Sequence, residues 1–468
     1  MGPSLDGVTR VHLIGIGGAG MSALARLMLA QGVPVSGSDA KESRRITALR
    51  ALGARIVIGH GQESLDGTPA AEVVVVSTAI PPTNPEVVEA RRRGLLVWTR
   101  AEALNAVMEG SRAIAIAGTH GKTTTTSMVT VALQACGADP SFAIGSELQS
   151  SGTNAHRGSG PLFVVEADES DGSFLAITPY IAVVTNVEAD HLDHWADLAE
   201  IEEAFVRFCL SARDVDGSAV LCADDQGSRR VADEVRRAGV KVLTYGMAPD
   251  ADVRILDPVS GSRGWTFQIA HRGVRLGSVT LQVPGAHNAQ NACAAVAVGI
   301  ALGLPPADVA EGLASFTGTQ RRFELRGQVD GIRVYDDYAH HPTEVEATLR
   351  AAREVAGEGR VIVAFQSHRY SRTAVFAREF GQALGLADEV IVLDVYSAGE
   401  APIPGASGEV IADCVPLPRD RVHFEPSWSR VPSVVAERAR AGDVVMTMGA
   451  GDVGQLAPQI VDLLRERG

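Results

Sequence analysis

AIAIAGTHGKTTTT, Ala113 to Thr126, carries an apolar strand through a short glycine turn into a helix that opens with a lysine and a threonine. Backbone N–H groups of such a turn, together with the helix dipole, form a cradle for phosphate. Lys122 is suited to neutralise β- and γ-phosphate oxygens, and the Thr123 hydroxyl to ligate magnesium. The loop is GxxGKT, shorter than the full Walker pattern, with Ile116 where the first glycine of that pattern would stand. The bland alternative is an ordinary tight turn. Against it, the chain has only three lysines, Lys41, Lys122 and Lys241, and 39 arginines, so a lysine at this spot is informative. Gly118, Thr119, His120, Gly121, Lys122, Thr123 and Thr124 are therefore the expected ATP-binding loop.

A phosphate loop needs hard ligands for its metal, and in a parallel sheet these belong at the ends of neighbouring strands. FVVEADESDGSF (Phe163 to Phe174) runs from an apolar strand directly into Glu166. VVTNVEADHLDHW (Val183 to Trp195) runs into Asn186, Asp190, His191 and His194. Glu166 and His191, with Thr123, are the candidate magnesium ligands. Asp168, Asp171 and Asp193 are equally readable as solvated caps or turn residues.

Toward the N-terminus, GIGGAG (Gly15 to Gly20) follows a strand at Arg10–Ile14 and opens a helix, with Asp39 ending the next strand. Gly15, Gly17, Gly18 and Gly20, with Met21 and Ser22 beyond them, fit a nucleotide-diphosphate site, and the pattern does not choose NAD over a UDP-sugar. His12, on the first strand, fits core packing and a pocket role equally. Toward the C-terminus, DDYAHHPTE (Asp336 to Glu344) reads as a strand-end loop in which Pro342 starts a helix. HRYSRT (His368 to Thr373) offers two arginines three apart, able to grip a carboxylate.

Strand and helix signals alternate in three blocks, with strands at Ile56–Ile58 and Val73–Ser77, at Leu162–Val165, Ile181–Thr185 and Ala219–Cys222, and at Ile332–Tyr335, Val361–Phe365, Val390–Leu393 and Val444–Met448. Between the second and third blocks, Asp252 to Val283 reads as an antiparallel meander, followed by an alanine-rich helix over Asn288–Leu302. The expected fold is α/β in three domains: a Rossmann-like parallel sheet (1–109), a P-loop ATPase-type domain with a small antiparallel sheet (110–319), and a second Rossmann-like domain (320–468).

The formal charge of -14 argues against a nucleic-acid surface. Five scattered cysteines without metal-like spacing fit a reducing cytoplasm. No apolar run reaches the length of a membrane span, and no signal-peptide pattern precedes the first strand.

GTHGKTT, EADESD, TNVEADHLDHW, HNAQNACAA (His287 to Ala295), DDYAHHPTE and HRYSRT, in that order, resemble the motifs of the Mur ligases, and the likeness runs from Gly15 to about Asp452. The resemblance implies a cytoplasmic, ATP- and Mg2+-dependent ligase of peptidoglycan precursor synthesis, monomeric or homodimeric, whose substrates are UDP-N-acetylmuramate and L-alanine. It implies the UDP-sugar on the first domain, ATP on the second and the amino acid on the third. By motif, Asn288 and Asn291 belong to the adenine side, and Arg322 and Asp336 lie near the nucleotide. Tyr338, His340, His341, His368, Arg369 and Arg372 face the amino acid, with Lys122, Glu166, His191, His340 and His341 the catalytic set. Two departures stand out. Ser367 occupies a position where the family usually has proline, and no lysine occurs between Lys122 and Lys241 to supply the carbamylated lysine of several sister ligases.

Three other readings compete. An NAD-dependent oxidoreductase would leave Lys122 and the strand-end acids without work. A P-loop ATPase acting as a switch would not explain HRYSRT. A sister ligase that attaches a preformed peptide shares nearly every motif.

Overall fold

A computed structural model describes residues 3–77, 79–192, 194–261 and 264–467. Asp193 lies outside them. The chain forms two compact units: residues 1–256, 269–277 and 290–313 in the first, and 257–268, 278–289 and 314–468 in the second.

The first unit holds the N-terminal sheet, β1 Val11–Ile14, β2 Val35–Asp39, β3 Arg55–Ile58, β4 Val73–Val76 and β5 Leu96–Thr99. Its order is β3-β2-β1-β4-β5, with every neighbouring pair parallel. The central strands are β6 Arg112–Ala117, β7 Ser141–Ala143, β8 Ala155–His156, β9 Leu162–Glu166, β10 Ile181–Val184, β11 Ser218–Cys222, β12 Lys241–Gly246, β13 Val253–Gly261, β14 Gly264–His271 and β15 Val274–Thr280. They run in the order β15-β14-β13-β12-β11-β10-β6-β9-β7-β8. β6 is buried over Ala113–Ala117, as a strand covered on both faces must be. It is also where the order reverses: the chain first builds one side (β7 to β9) and then the other (β10 onward). Ligands of open α/β sheets bind at such a switch point.

The meander expected over Asp252–Val283 is present, but it is not a sheet of its own. β13 pairs in parallel with β12 and extends the central sheet, so the polar edge of β12 is paired instead of exposed.

Beneath the glycine turn the first unit buries a polar network. Glu86 is fully buried; its Oε2 accepts from Ser38 at 2.6 Å, and its Oε1 accepts from the Ser64 hydroxyl. Ser38 in turn offers its carbonyl to the N–H groups of Gly15 (2.8 Å) and Ile16 (3.0 Å). His12 is also fully buried, its Nδ1 3.0 Å from the Ser36 hydroxyl and its Nε2 3.8 Å from Glu86, which places it in the core. Burial raises the Glu86 pKa, but the nearby His12 ring and the hydrogen bonds from Ser38 and Ser64 more than offset it and hold the carboxyl at about 2. A depressed pKa stabilises the fold above the unfolded value and loses that contribution as pH falls. Glu86→Ala is expected to cost about 3 kcal/mol at neutral pH. In urea titrations the gap between variant and wild type should close as pH drops from about 4.5 toward about 2; a pH-independent gap would contradict the network's ionic character.

The second unit carries β16 Glu324–Val329, β17 Ile332–Asp337, β18 Val361–Phe365, β19 Glu389–Val392, β20 Val422–Phe424 and β21 Val444–Met448, in the order β16-β17-β21-β18-β19-β20. Only the edge pair β16·β17 is antiparallel. Apolar clusters fill both faces of this sheet, one around Val363 and Phe380 and one around Ile362 and Leu456. No helix among the described residues is long and apolar enough to cross a membrane.

Candidate active site

The loop after β6 has the geometry of a phosphate cradle. Gly118 sits at φ +134°, and a Cβ there would run into the Thr185 hydroxyl, so only glycine closes this turn. The strand-end residues after β10 clamp the loop. Asn186 Oδ1 accepts from the His120 N–H at 2.7 Å, and the His120 carbonyl accepts from the Thr185 hydroxyl (2.6 Å) and Asn186 Nδ2 (3.1 Å). The helix Lys122–Ala135 starts here, capped by Gly121. On it, Thr125 donates to Asn291 Oδ1 at 3.1 Å, tying the helix to the one over Ala286–Ala301. Asn288, on that same helix, donates to the Pro284 carbonyl at 2.6 Å.

Lys122 folds back over the loop, donating to the carbonyls of Gly118 (2.7 Å) and Thr119 (3.1 Å) and to Glu169 (2.7 and 2.9 Å to its two oxygens). Burial acts to lower the ammonium's pKa, but Glu169, Asp168 and Glu166 together outweigh it, so the lysine holds its proton. Glu169 is pushed up to about 7 by burial, an effect that Lys122 only partly opposes. Nothing in the sequence singles out Glu169: it lies three residues beyond Glu166 in EADESD, and only the fold of that loop brings it to the lysine.

Glu166 ends β9 and points at the start of the same helix. Its Oε1 accepts from the Thr123 hydroxyl at 2.9 Å and its Oε2 from the Gly145 N–H at 2.7 Å. His191, at φ +53°, has Nε2 3.6 Å from Asp190 and 3.9 Å from Glu169. A hydroxyl, carboxylates and an imidazole around one phosphate loop suit a hard divalent cation such as magnesium. Thr123 and Glu166 are thus brought into direct contact, and His191 stands beside Asp190 and Glu169, the carboxylate that pairs with Lys122.

In the N-terminal turn, Asp39 Oδ2 accepts the Gly17 N–H at 2.8 Å, so the acid at the end of β2 pins the glycine turn. The helix Ala19–Ala30 follows, with Met21 and Ser22 buried in its first turn and Ser22 donating to the Ala19 carbonyl.

In the second unit the histidines gather at the strand ends. His340 has Nδ1 3.0 Å from the Tyr338 carbonyl and 3.3 Å from Glu344, and its ring lies 5.3 Å from that of Tyr338 and 6.3 Å from that of His368. His368 stacks on Tyr396 at 5.5 Å. His341 caps the helix Pro342–Ala356, the one expected to begin at Pro342, and packs its ring against Phe376. Burial lowers His340 to about 3 and, helped by Arg372 and Arg369, lowers His368 to about 4, so both rings are neutral near pH 7. Arg369 lies 4.0 Å from Glu400, and Arg372 follows one turn later on the helix Tyr370–Leu384.

Asp336 is buried and engaged by Arg321 (3.0 Å) and Thr447 (2.8 Å). Arg321 also donates to the Gly449 and Gly451 carbonyls and, with Arg322, lies over the Tyr338 ring. Arg321, adjacent to the predicted Arg322, escaped the sequence reading because nothing in FTGTQRRF distinguishes the two arginines. Ser367, the departure from the family's proline, is fully buried and its hydroxyl lies 2.7 Å from that of Thr373, a hydrogen bond that restrains the loop proline would have stiffened.

Three family models match consecutive stretches: Mur ligase family, catalytic domain (10–112), Mur ligase middle domain (116–299) and Mur ligase, glutamate ligase domain (321–451). A UDP-N-acetylmuramate–L-alanine ligase of Acidothermus cellulolyticus is 58% identical, over 99% of this chain and 96% of its own length. One from Mycobacterium marinum is 52% identical over 98% of this chain and 95% of its own. Among solved structures, a UDP-N-acetylmuramate–alanine ligase of Thermotoga maritima superposes with a TM-score of 0.81 at 28% identity, covering 98% of this chain and 100% of that one. A murein peptide ligase of Psychrobacter arcticus gives 0.70 at 25% identity, covering 97% and 98%. With a phosphate loop at the switch point of its central sheet, strand-end acids around that loop and family matches along nearly its whole length, the chain belongs to the Mur ligase family.

Proposed function

We propose that this protein joins L-alanine to the carboxylate of UDP-N-acetylmuramate, using ATP and forming UDP-N-acetylmuramoyl-L-alanine, ADP and phosphate in the cytoplasm. The observation that carries the reading is the meeting of Lys122, Thr123 and Glu166 at one loop, a set that serves transfer of a γ-phosphoryl group. We place the domain joints near residues 110 and 320.

Forming an amide from a carboxylate is uphill in water, so the carboxylate is first activated as an acyl-phosphate. Lys122 leaves Glu169 to meet the β/γ oxygens, offsetting repulsion between the two anions as they approach in line. Thr123, Glu166 and His191 would hold magnesium, whose charge, when bound, stabilises the phosphoryl oxygens. Thr119, His120, Gly121 and Thr124 frame the phosphates, with Asn291 and Asn288 on the adenine side; Arg322 and Asp336 are assigned to the nucleotide by their family motif alone. Gly15, Gly17, Gly18, Gly20, Met21, Ser22 and Asp39 receive the UDP-sugar. Arg369 and Arg372 hold the alanine carboxylate beside Tyr338. The α-amine attacks the acyl carbon in its neutral form, and an imidazole at His340, His341 or His191 takes the proton as phosphate leaves.

The test is ADP formation with ATP, magnesium and UDP-N-acetylmuramate, in the presence of L-alanine, of a tripeptide, or of neither. Turnover that requires both the UDP-sugar and L-alanine is the expected result. Turnover with the tripeptide alone would move the assignment to a peptide-attaching sister, and turnover indifferent to the UDP-sugar would sink it.

A further inference from the structure

Within the first unit, an open cleft separates the N-terminal glycine turn from the end of β9. It is lined by Gly20 and Arg100 on one side and by Gly145, Glu166 and Asp168 on the other. Arg100 is the first residue of the helix Arg100–Met108, whose start is fixed by a reciprocal Thr99/Glu102 capping box. A cation at a helix N-terminus opposes the dipole, so helix stability does not account for an arginine here.

The guanidinium lies directly against the end of the glycine turn. A Cβ on Gly20 would sit 2.7 Å from Arg100 Nη1 and 3.2 Å from Cδ, so the glycine is what lets the arginine approach the backbone that closely. Among the described residues its one ion pair is a loose one, Nη2 to Asp168 Oδ2 at 3.7 Å, beyond hydrogen-bond length. Five N–H donors in a planar fork thus face a half-exposed cleft, with the glycine turn on one flank and the acids of the phosphoryl-transfer loop on the other.

We infer that Arg100 is a substrate-binding residue that grips the diphosphate of the UDP-sugar at the glycine turn and so sets how far the sugar's carboxylate reaches toward Glu166. The assignment rests on the UDP-sugar reading given above. A guanidinium fork matches two phosphate oxygens in a way a lysine does not. The exchange also suits the cleft's charge: on binding, Arg100 trades a distant carboxylate for a close dianion.

Arg100→Ala and Arg100→Lys test the assignment, with UDP-N-acetylglucosamine, which carries the diphosphate but no carboxylate, as a competitive inhibitor. Loss of a charge-assisted pair is expected to raise KM for UDP-N-acetylmuramate about 10- to 100-fold in Arg100→Ala, and less in Arg100→Lys. KM for ATP should stay within about 2-fold, and the inhibition constant for UDP-N-acetylglucosamine should rise by the same factor as KM. An unchanged UDP-sugar KM in a folded variant overturns the inference, and so does weakened UDP-N-acetylmuramate binding with undiminished inhibition by UDP-N-acetylglucosamine, which would put Arg100 on the carboxylate. Thermal melting of both variants separates misfolding from lost contact. Failure of the wild-type enzyme to turn over UDP-N-acetylmuramate would instead count against the functional reading.

Discussion

Lys122→Ala is expected to lower the ligation rate by about a thousand-fold or more, because the lysine is the one cation of the phosphate loop that can travel with charge as it develops on the transferred phosphoryl group. Its structural cost should be smaller. Removing the ammonium leaves Glu169 buried at 3% exposure, and an unpaired buried carboxylate would ordinarily destabilise by about 3–5 kcal/mol. Glu169 already titrates near 7, so it escapes most of that penalty by taking up a proton. The sign follows from linkage: an acid whose folded pKa is raised favours the folded state at low pH and opposes it as pH rises past that value. Lys122→Ala should therefore be less stable relative to wild type at pH 8 than at pH 6, and the double variant Lys122→Ala/Glu169→Gln should recover stability while staying inactive. Recovery of activity in the double variant would show that loss of packing, not loss of charge, had disabled the single one. Thermal melting alongside steady-state ADP formation makes the comparison.

Glu166→Gln is expected to cost about 100- to 1000-fold in rate with a raised magnesium requirement. The carboxylate accepts from two donors at once, Thr123 and Gly145. An amide of the same shape keeps both contacts only by turning its NH2 to the Thr123 hydroxyl, which must then accept instead of donate, and the negative charge is lost. The fold should survive, since β9 is anchored on both sides by parallel pairing with β6 and β7. A magnesium titration of ADP formation decides the matter: an unshifted midpoint with only a slight loss of rate would remove Glu166 from the metal site.

Most of the sheet strands were legible because each is a short apolar run flanked by turn residues, and β6, β9 and β10 carry their chemistry at their ends. The place of the meander was not. Nothing in the pattern of β13 to β15 says whether a hairpin stands alone or pairs with an existing edge, since that depends on which edge lies open. The same limit governs the site. Thr123 and Glu166 could be named from their strand-to-helix and strand-to-loop positions, and they meet at 2.9 Å. Glu169 and Arg100 could not, because the partner of each, Lys122 and Gly20 respectively, is 47 residues away in one case and on the first helix of the same sheet, four strands earlier in the chain, in the other. Asp39 matches the dinucleotide fingerprint, and one of its oxygens also takes the Gly17 N–H, a second task that the fingerprint does not announce. A motif fixes where a side chain starts, and its neighbours decide what it holds.

The central claim, activation of a carboxylate as an acyl-phosphate, is tested most directly by running the reaction on UDP-N-acetylmuramate labelled with heavy oxygen in its carboxylate. The account predicts that each phosphate released carries one labelled oxygen from the sugar, and that the new amide keeps the other. Unlabelled phosphate alongside the alanine adduct would contradict it.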